Sequence, residues 1–585
     1  MIRKIFRQML VSQIISAMTV TLCMLVDSIM ISRYLGMDSI TAYGYSTPVL
    51  LVFAAFGSML SVGIQVKCGK TMGSADREGT DACYTQSIVM AAAVAAAGFV
   101  LVFSLAGPLS TLLGAGKRSP ENEVYFLTRD YLRGFIIGAP AFILAQIMIP
   151  YMQIAGKRTV LVAAVLAMTV FDILFDILNV TVFHGGTFGM GLASSLSYYI
   201  AFGIGLTYFL GKNCMFRFRK KGISGKLGLE ILKYGIPTVV NQISLVLLVF
   251  LLNNVLARVE GNSAVAAYSV ISTLGNICYC VGSGVASVAL TLATFFCEDE
   301  DRSSLYLLMR VMIVYAVLLD IVLIAVVWIA APYAIGLFVT DDPVVFAFAK
   351  QGLRLFSLSL LSSALNTALK NYYQGVGHTR LTEAISFAQN FLFTAIYALV
   401  LSSIFGARGV WISFVLGETT TLVLTVVYVF AKQKRAAFNA ETFAMLPDSF
   451  GVQDSECMEE TIRSMEEVVA VSEKANDFCL AHGDTDENGM LIALFIEEMA
   501  ANTVNYGFTA DKRDNTIELR VFYKDGTRYI RMRDDCRHFD PVSYMDVQRT
   551  EEDPTAHIGI RMVMGMAKSA NYINSLGLNN LTLTL

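Results

Sequence analysis

Five acidic side chains lie within long apolar stretches of this 585-residue chain: Asp27, Asp172, Asp176, Asp320 and Glu418. A charge within a lipid bilayer costs about 2.5–3.5 kcal/mol on insertion scales, so an acid retained there indicates a function. Asp172 and Asp176 are four residues apart and share a helix face, with Asn179 near the same stripe. If Asp27 converges on them, this group can take up a proton or a sodium ion. The alternative is that each acid only hydrogen-bonds a neighbouring helix.

A second group of chemically capable residues lies near the C-terminus. Glu498 and Asn502 share one face of an amphipathic stretch, and a carboxylate beside an amide oxygen suits water activation and Mg²⁺ binding. Asp534 follows a predicted strand, and Gly559 opens a predicted helix whose free backbone N–H groups can hold phosphate. Each feature is weak evidence by itself, and their order along the chain gives them weight.

The five acids within apolar stretches must be positioned by membrane helices. Hydrophobic residues make up 55% of the chain and charged residues 16%, which excludes a soluble multidomain enzyme. No separate basic face is present, so no nucleic-acid partner is expected. Roughly twelve apolar stretches lie between residues 8 and 432, each long enough to cross a hydrocarbon layer of ~30 Å. The sequence predicts an all-α polytopic membrane protein with twelve transmembrane helices in contact with lipid.

Basic residues predict the orientation of these helices. If the N-terminus is cytoplasmic, the inside loops hold most of the lysines and arginines, including the cluster Arg217, Arg219, Lys220 and Lys221. The positive-inside rule therefore favours a multi-pass protein of the bacterial-type inner (plasma) membrane with both termini in the cytoplasm. A C-terminal tail on that side has access to cellular ATP.

An internal repeat divides the membrane part into two halves, about 1–220 and 221–435. A shift of about 225 residues superposes Arg33 on Arg258, Gly36 on Gly261, Ala42 on Ala267, Tyr43 on Tyr268 and Gly57 on Gly282. Six spans per half give both halves the same orientation, so we expect two six-helix bundles with a substrate cavity between them.

The composition changes after the last apolar stretch. Residues 436–444 are predicted to be a linker, and the polar, acidic residues 445–585 a separate α+β domain. Periodicity predicts helices over Glu459–Leu480 and Asn488–Tyr506. It also predicts paired strands over Thr516–Phe522 and Arg528–Arg533.

Residues 26–36, VDSIMISRYLG, followed by Ala42, resemble the first-helix signature of the multidrug and toxic compound extrusion (MATE) family. The segments 63–66 (GIQV) and 73–76 (GSAD) are similar to the end of that family's second helix and the following loop. The resemblance covers about residues 1–432. It implies secondary antiport, in which H⁺ or Na⁺ flowing inward drives the export of amphipathic, often cationic compounds.

Within this resemblance, Asp27 matches the first-helix acid to which cation coupling is ascribed. Asp176 resembles the aspartate of the fifth-helix Asn-x-x-x-Asp pattern, whereas Asp172 stands where the family often has Asn, which leaves the choice of ion open. The stretch 114–118 lacks the first glycine and the Ser or Thr of a phosphate loop, so an ion gradient is the expected energy source.

The C-terminal features resemble, in their order, the GHKL ATPase fold, particularly the anti-sigma-factor-type serine kinases. The resemblance implies ATP and Mg²⁺ as cofactors. Glu498 matches the catalytic base and Asn502 the magnesium ligand. Asp534 matches the acid that hydrogen-bonds adenine, and Gly559 matches a glycine of the phosphate lid.

Three residues depart from the GHKL pattern, because Cys536, His538 and His557 stand where glycines are common. Bulk at such turns can block the adenine pocket or demand unusual backbone angles. The departures leave ATP hydrolysis by this domain open.

Together these features predict an ion-coupled antiporter that exports amphipathic, cationic drugs or metabolites and carries a regulatory nucleotide-binding tail. Two alternatives remain open. The membrane part can be a sensor that controls a serine-kinase-like domain acting on a cytoplasmic regulatory protein. It can also export a lipid-linked envelope precursor, for which a strongly cationic cavity is expected.

Overall fold

The computed structural model describes residues 1–74, 76–211, 214–338, 342–434, 437–508, 515–524, 526–542 and 558–585. The first half contains α1 (Ile2–Met30), α2 (Met37–Gly73), α3 (Arg77–Leu112), α4 (Glu123–Ile136), α5 (Ala139–Ile154), α6 (Arg158–Leu178) and α7 (Gly186–Phe209). The second half contains α8 (Gly225–Val259), α9 (Asn262–Glu298), α10 (Arg302–Gly336), α11 (Pro343–Gly375), α12 (Thr379–Phe387), α13 (Phe393–Phe405) and α14 (Ala407–Gln433).

The prediction of twelve spans agrees with the described residues. They contain 11 helices long and apolar enough to cross a membrane, counting α12 and α13 as one span, and α4 and α5 complete a twelfth that bends by 48°. Pro140 accounts for the bend, because its ring prevents an unbroken helix through the preceding turn. Ser195 Oγ binds the backbone groups freed there, donating to the carbonyl of Gly134 and accepting from the N–H of Gly138, each at 2.8 Å.

Backbone conformations support the two-half repeat. Gly36 and Gly261, which the sequence shift superposes, have φ of 87° and 73° and directly precede α2 and α9. Gly156 and Gly377 have φ of 68° and 92° and lie in the turns that follow α5 and α11. Positive φ favours glycine, so the same turn chemistry recurs at the same place in each half.

The tail consists of a short helix and a five-stranded antiparallel sheet with helices on one face. Its elements are α15 (Ala440–Ala444), β1 (Cys457–Ile462), α16 (Met465–Ala481), α17 (Asp486–Asn502), β2 (Ile517–Lys524), β3 (Thr527–Asp534), α18 (Ile558–Met566), β4 (Ser569–Ser575) and β5 (Leu578–Thr584). The strand order is β1-β2-β3-β5-β4. This is a small α+β sandwich, and its assignment to the GHKL fold stays a prediction.

Two tail segments differ from the sequence prediction. The helix predicted from Glu459 is wrong at its start, since the chain pairs with β2 as a strand through Ile462. The helix begins after Ser464, whose hydroxyl accepts from the backbone N–H of Glu467 and caps it. The predicted linker contains α15, whose residues are mostly buried against the membrane part.

The sheet has two chemically different faces. Along β3, Ile530 and Met532 pack against the helices, whereas Arg531 and Arg533 point to the opposite side. Arg520 on β2 shares that side. The result is an arginine face that meets the helix ends of the membrane part.

Candidate functional site

The three acids of the first half converge in the structure. Asp27 on α1 lies within interacting distance of Asp172 and Asp176 on α6. Their relative exposures are 8%, 3% and 0%, so bulk water hardly reaches them. Like charges held this close repel one another, which favours a proton or a cation between them.

Only some carboxylate oxygens of this acid cluster accept a hydrogen bond from a neighbouring side chain. Ser197 Oγ donates to Asp172 Oδ1 at 3.0 Å, and Ser194 Oγ donates to Asp27 Oδ2 at 3.5 Å. Apart from the contact between Asp27 and Asp176 themselves, Asp27 Oδ1 and both carboxylate oxygens of Asp176 accept no hydrogen bond from the described residues. Buried carboxylate oxygens rarely lack partners, so these oxygens are candidate ligands for a bound cation.

A cavity of about 230 Å³ lies against Asp27 and Asp172. Its walls are mainly apolar and include Met148, Met168 and Tyr198. Asn179, the fourth predicted ligand, instead serves the turn after α6: its Nδ2 donates to the carbonyl of Gly186 at 3.1 Å, and its Oδ1 accepts from the N–H of Gly185 at 3.1 Å. Its role as an ion ligand stays a prediction.

The second half contains a larger cavity, of about 570 Å³, lined by Asp320 and Glu418. It also contains Lys370, a buried cation that the sequence reasoning missed because it considered only acids. The available signal was a single lysine near the end of an apolar span. Lys370 Nζ donates to Asn241 Oδ1 at 2.8 Å and to Gln389 Oε1 at 2.9 Å.

The predicted nucleotide residues of the tail lie around a third cavity, of about 470 Å³. Asn502 and Asp534 line it, together with Asn579, which the sequence reasoning missed. Asn579 Nδ2 donates to Asp534 Oδ1 at 2.8 Å. Burial raises the pKa of Asp534, and the hydrogen bonds from Asn579 and from the Cys536 backbone only partly oppose this effect.

Glu498 and Gly559 meet beside this cavity. A Cβ placed on Gly559 would lie 1.8 Å from Glu498 Oε2, so only glycine allows this approach. The predicted catalytic base and the predicted phosphate-lid glycine are therefore neighbours. Ile560, the next residue of α18, lines the cavity itself.

Cys536 and His538, which stand where the GHKL pattern commonly has glycine, do not adopt the left-handed backbone conformation that favours glycine. Among the residues that the structure describes, the non-glycine residues with positive φ are His184, Glu300, Lys434, Met445 and Leu576, a set without Cys536 and His538. Gly507 provides space for Cys536, because a Cβ on Gly507 would lie 3.1 Å from Cys536 Cβ. His557 lies outside the described residues.

The arginine face of the tail binds an acidic turn between α9 and α10. Arg531 pairs with Asp299 at 2.6 Å and with Asp301 at 2.8 Å, and Arg533 and Arg520 approach Asp301 at 3.5 and 3.9 Å. Burial raises the pKa of Asp301, but the three arginines outweigh it and hold that pKa well below its ordinary value. At the rim, Lys524 pairs with Glu300 at 2.6 Å.

The tail also contacts the first half. The N–H of Leu576, in the β4–β5 turn, donates to the carbonyl of Ile154, and Arg158 donates to the carbonyl of Leu576 at 3.2 Å. The amine of Met1 pairs with Glu518 at 3.3 Å. The N-terminus and the tail therefore lie at the same end of the membrane helices, and the tail bridges the two halves there.

Comparisons with known proteins agree with this architecture. The multidrug export protein MepA of Staphylococcus haemolyticus (strain JCSC1435) is 24% identical over 399 residues, covering 68% of this chain and 86% of that protein. MepA of Staphylococcus aureus (strain NCTC 8325 / PS 47) is 22% identical over 404 residues, with the same coverage.

Solved structures show the same fold. A multidrug resistance MATE family transporter of the MOP superfamily, in an outward-facing conformation, superposes with a TM-score of 0.68 at 20% identity, covering 72% of this chain and 94% of that chain. The MatE family model matches residues 13–178 and 237–400, more than half of the chain. The chain therefore belongs to the MatE family of transporters.

Proposed function

We propose that this protein exports amphipathic, cationic drugs or metabolites in exchange for H⁺ or Na⁺. The observation that carries the proposal is the cluster of Asp27, Asp172 and Asp176, whose oxygens include three without a hydrogen-bond donor from outside the cluster among the described residues. A site that binds an ion more tightly in one conformation than in the other couples the ion gradient to transport. The printed names of the similar staphylococcal proteins support multidrug export.

Transport into inverted vesicles tests this proposal. Vesicles that contain the wild type, Asp27→Asn or Asp38→Asn receive an imposed proton or sodium gradient without ATP, and uptake of a cationic dye is followed. Asp38 is an exposed aspartate at the start of α2 and provides the matched control. We expect gradient-dependent uptake that is lost in Asp27→Asn and kept in Asp38→Asn.

Other outcomes point to other functions. Full transport by Asp27→Asn would remove this residue from ion coupling. No transport with either gradient would favour the export of a lipid-linked envelope precursor, or a sensor that controls a kinase. In the sensor case, Glu498→Gln would abolish phosphorylation of a cytoplasmic regulatory protein.

We also propose that the tail binds ATP with Mg²⁺ in the cytoplasm. The positive-inside pattern supports that location, with the N-terminus and the tail on one side. The cavity has the size of a small-molecule site, and its Asp534 carboxylate can accept from the amino group of adenine. Asn502 would hold Mg²⁺ together with the nucleotide phosphates, and Glu498 would orient water.

Calorimetric titration of the purified full-length protein with Mg·ATP tests nucleotide binding. Asp534→Asn is expected to weaken binding by about tenfold, because the adenine amino group then donates to a neutral amide oxygen instead of a charged carboxylate. Asp477→Asn, an exposed aspartate on α16, is the control and should bind as the wild type does. Equal affinities in all three proteins would refute this site.

The contacts of the tail support a regulatory role for it. Alternating access requires the two halves to move relative to each other, and the tail binds Asp299 and Asp301 in one half and Ile154 in the other. Separation of the halves at this end would break one of these two sets of contacts. The docked tail therefore stabilises the state in which this end is closed, and a ligand of the tail can shift that equilibrium.

A further inference from the structure

Each half of the membrane part carries an arginine that lies over an aromatic ring. The guanidinium carbon of Arg133 on α4 lies 5.6 Å from the ring centre of Phe103 on α3. That of Arg354 on α11 lies 5.6 Å from the ring centre of Trp328 on α10. The shift of the chain that superposes the turn glycines after α5 and α11 also superposes Arg133 on Arg354. The same arginine–aromatic pair therefore recurs at the same place in both halves.

Both pairs lie on a surface that faces lipid. The rings of Phe103 and Trp328 are 41% and 43% exposed, and Leu101 on α3 and Ile329 and Tyr333 on α10 are more than half exposed. Apolar side chains exposed in such numbers on a membrane helix contact lipid. A charge on this surface is costly unless it reaches the lipid headgroups. The depth of the arginines in the membrane therefore decides what they contact.

The two pairs lie at the same depth, far from the tail. Phe103 and Trp328 each lie 26 residues after the first residues of their helices, Arg77 and Arg302. Both helix starts contact the tail: Arg302 donates to the carbonyl of Phe450 at 2.6 Å, and Arg77 pairs with a tail aspartate at 3.8 Å. At 1.5 Å per residue the rings lie about 39 Å away, and a helix tilt of about 20° shortens this by about 2 Å.

This distance matches the thickness of a bilayer. The hydrocarbon core measures about 30 Å, and the bilayer with its headgroups about 40–45 Å. A side chain about 37–39 Å from helix starts that lie in water beside the tail therefore reaches the headgroups of the opposite leaflet. Aromatic side chains are enriched at this level of a membrane.

Neither arginine pairs with an acid among the residues that the structure describes. Arg354 Nη2 donates to the backbone carbonyl of Trp328 at 3.2 Å, and the Nε atoms of Arg133 and Arg354 have no described acceptor. A guanidinium has five N–H donors, so each arginine keeps donors for a ligand. Its planar fork fits the oxygens of a phosphate while its face packs on an aromatic ring.

The second half carries more positive charge at this position than the first. One turn before its arginine, the first half has Arg129, which pairs with Asp130 at 2.8 Å. The equivalent residues of the second half are Lys350 and Gln351, and Gln351 Oε1 accepts from Arg408 Nε at 3.1 Å. The second half therefore adds two cations and no acid among the described residues, and we expect it to bind an anion more tightly.

We propose that each half binds the phosphate of an anionic phospholipid in the leaflet opposite the tail. Arg133 or Arg354 holds the phosphate, and Phe103 or Trp328 lies beside the start of the acyl chains. The exposed apolar side chains around each pair favour a lipid over a free phosphate ion, which has no apolar part to contact them. None of these four residues lines the two cavities of the membrane part, so these lipid sites are separate from them.

Trp328 allows a direct measurement of the lipid that lies beside it. The chain has two tryptophans, and the other, Trp411, is fully buried. The purified full-length protein is reconstituted into vesicles of phosphatidylcholine and phosphatidylglycerol, in which one of the two lipids carries bromine on its acyl chains. Bromine quenches tryptophan on contact, so the two brominated mixtures compare the affinities of the two lipids at this site. Trp328→Phe gives the quenching that comes from Trp411.

We expect the wild type to prefer phosphatidylglycerol at Trp328 by about fivefold or more, because basic side chains near the headgroups attract anionic lipid. Arg354→Gln should reduce the preference to within about twofold. Arg118→Gln, a change at an exposed arginine of the loop after α3, removes the same charge at the same end of the membrane part and should keep the preference. Quenching of Arg354→Gln by brominated phosphatidylcholine reports that Trp328 still faces lipid in that variant.

The reporter can be moved to the first half. Phe103→Trp in the Trp328→Phe variant should show a smaller preference for phosphatidylglycerol, because Asp130 neutralises Arg129 there. Arg133→Gln in that background should remove it. Equal quenching by both lipids in the wild type, or a preference that survives Arg354→Gln, would overturn the proposal. Loss of the preference on addition of soluble glycerol phosphate would also overturn it, since the site would then bind free phosphate rather than lipid.

Discussion

The ion pairs of Asp301 allow the docking of the tail to be tested by removal of one charge. Asp301→Asn keeps the side-chain shape, and the Asn side chain can still accept from the backbone N–H of Ser304 as the cap of α10. It removes the carboxylate that Arg531 and Arg533 share. The variant therefore separates the charge of this residue from its role at the helix terminus.

The expected loss is large because the interface is buried. The side chains of Asp301, Arg531 and Arg533 are 3%, 7% and 2% exposed, so solvent screens them little. Breaking a buried ion pair costs about 3–5 kcal/mol, and we take the lower end, about 3 kcal/mol, because Asp299 still pairs with both arginines. Since 1.4 kcal/mol is about tenfold, the docking constant should fall by about 100-fold.

Docking can be measured by zero-length cross-linking of a lysine to a carboxylate, which uses residues already present in the chain. Lys524 and Glu300 join the tail to the membrane part at 2.6 Å and are both 41% exposed, so a carbodiimide can reach them. Lys67–Glu230 within the membrane part (2.8 Å) and Lys474–Glu460 within the tail (3.0 Å) provide internal controls.

Mass spectrometry quantifies the cross-linked products of the wild type and of Asp301→Asn at increasing urea concentrations. In Asp301→Asn, the product that joins residues 524 and 300 should disappear at a lower urea concentration than in the wild type. The two internal products should persist equally in both proteins. Asp342→Asn, a change at the cap of another helix, should behave as the wild type does. An unchanged midpoint for the product that joins residues 524 and 300 would refute the claim that this charge holds the tail in place.

Three further predictions concern pH, nucleotide binding and a close approach of backbones. The arginines hold the pKa of Asp301 below its ordinary value. The ion pairs of Asp301 therefore stabilise docking fully above about pH 4, and this stabilisation is lost as the pH falls further. The Lys524–Glu300 cross-link measured from about pH 8 to 3 checks this. Burial raises the pKa of Asp534, so on acidification ATP binding should begin to weaken at a higher pH than it would with an aspartate of ordinary pKa. Calorimetry should show that ATP binding to Asp534→Asn lacks this pH dependence. Gly156→Ala should weaken docking in the cross-linking assay, because its Cβ would lie 2.6 Å from the backbone nitrogen of Gly577, whereas Gly203→Ala, which meets nothing within 4 Å, should not.

The sequence predicted the features that depend on local spacing. The four-residue separation of Asp172 and Asp176 placed both on one helix face, and the first-helix acid Asp27 joins them in the structure. Asn179 was expected on the same face. The α-helix ends at Leu178, and a wider turn rotates Asn179 so that its amide binds the backbone of the next loop.

Features that depend on partners distant in sequence were missed. Arg531 and Asp299 are 232 residues apart, so no local pattern reveals their ion pair. Arg531 and Arg533 alternate within the predicted strand and so share one of its faces, but this spacing does not show what covers that face. The misassigned start of α16 has a similar cause, because residues 457–462 became a strand only through pairing with β2.

Strand β3 connects the cavity of the tail to its arginine face. Successive side chains point to opposite faces of a strand, so Asp534 lines the cavity while its neighbour Arg533 binds Asp299 and Asp301. Asp535, the next residue, pairs with Lys4 of the first half. A nucleotide that displaces the Asn579 hydrogen bond to Asp534 therefore acts on a segment whose other face holds both halves of the transporter. If that ligand weakens docking by some factor, docking must weaken ligand binding by the same factor, so ATP affinity should rise in Asp301→Asn.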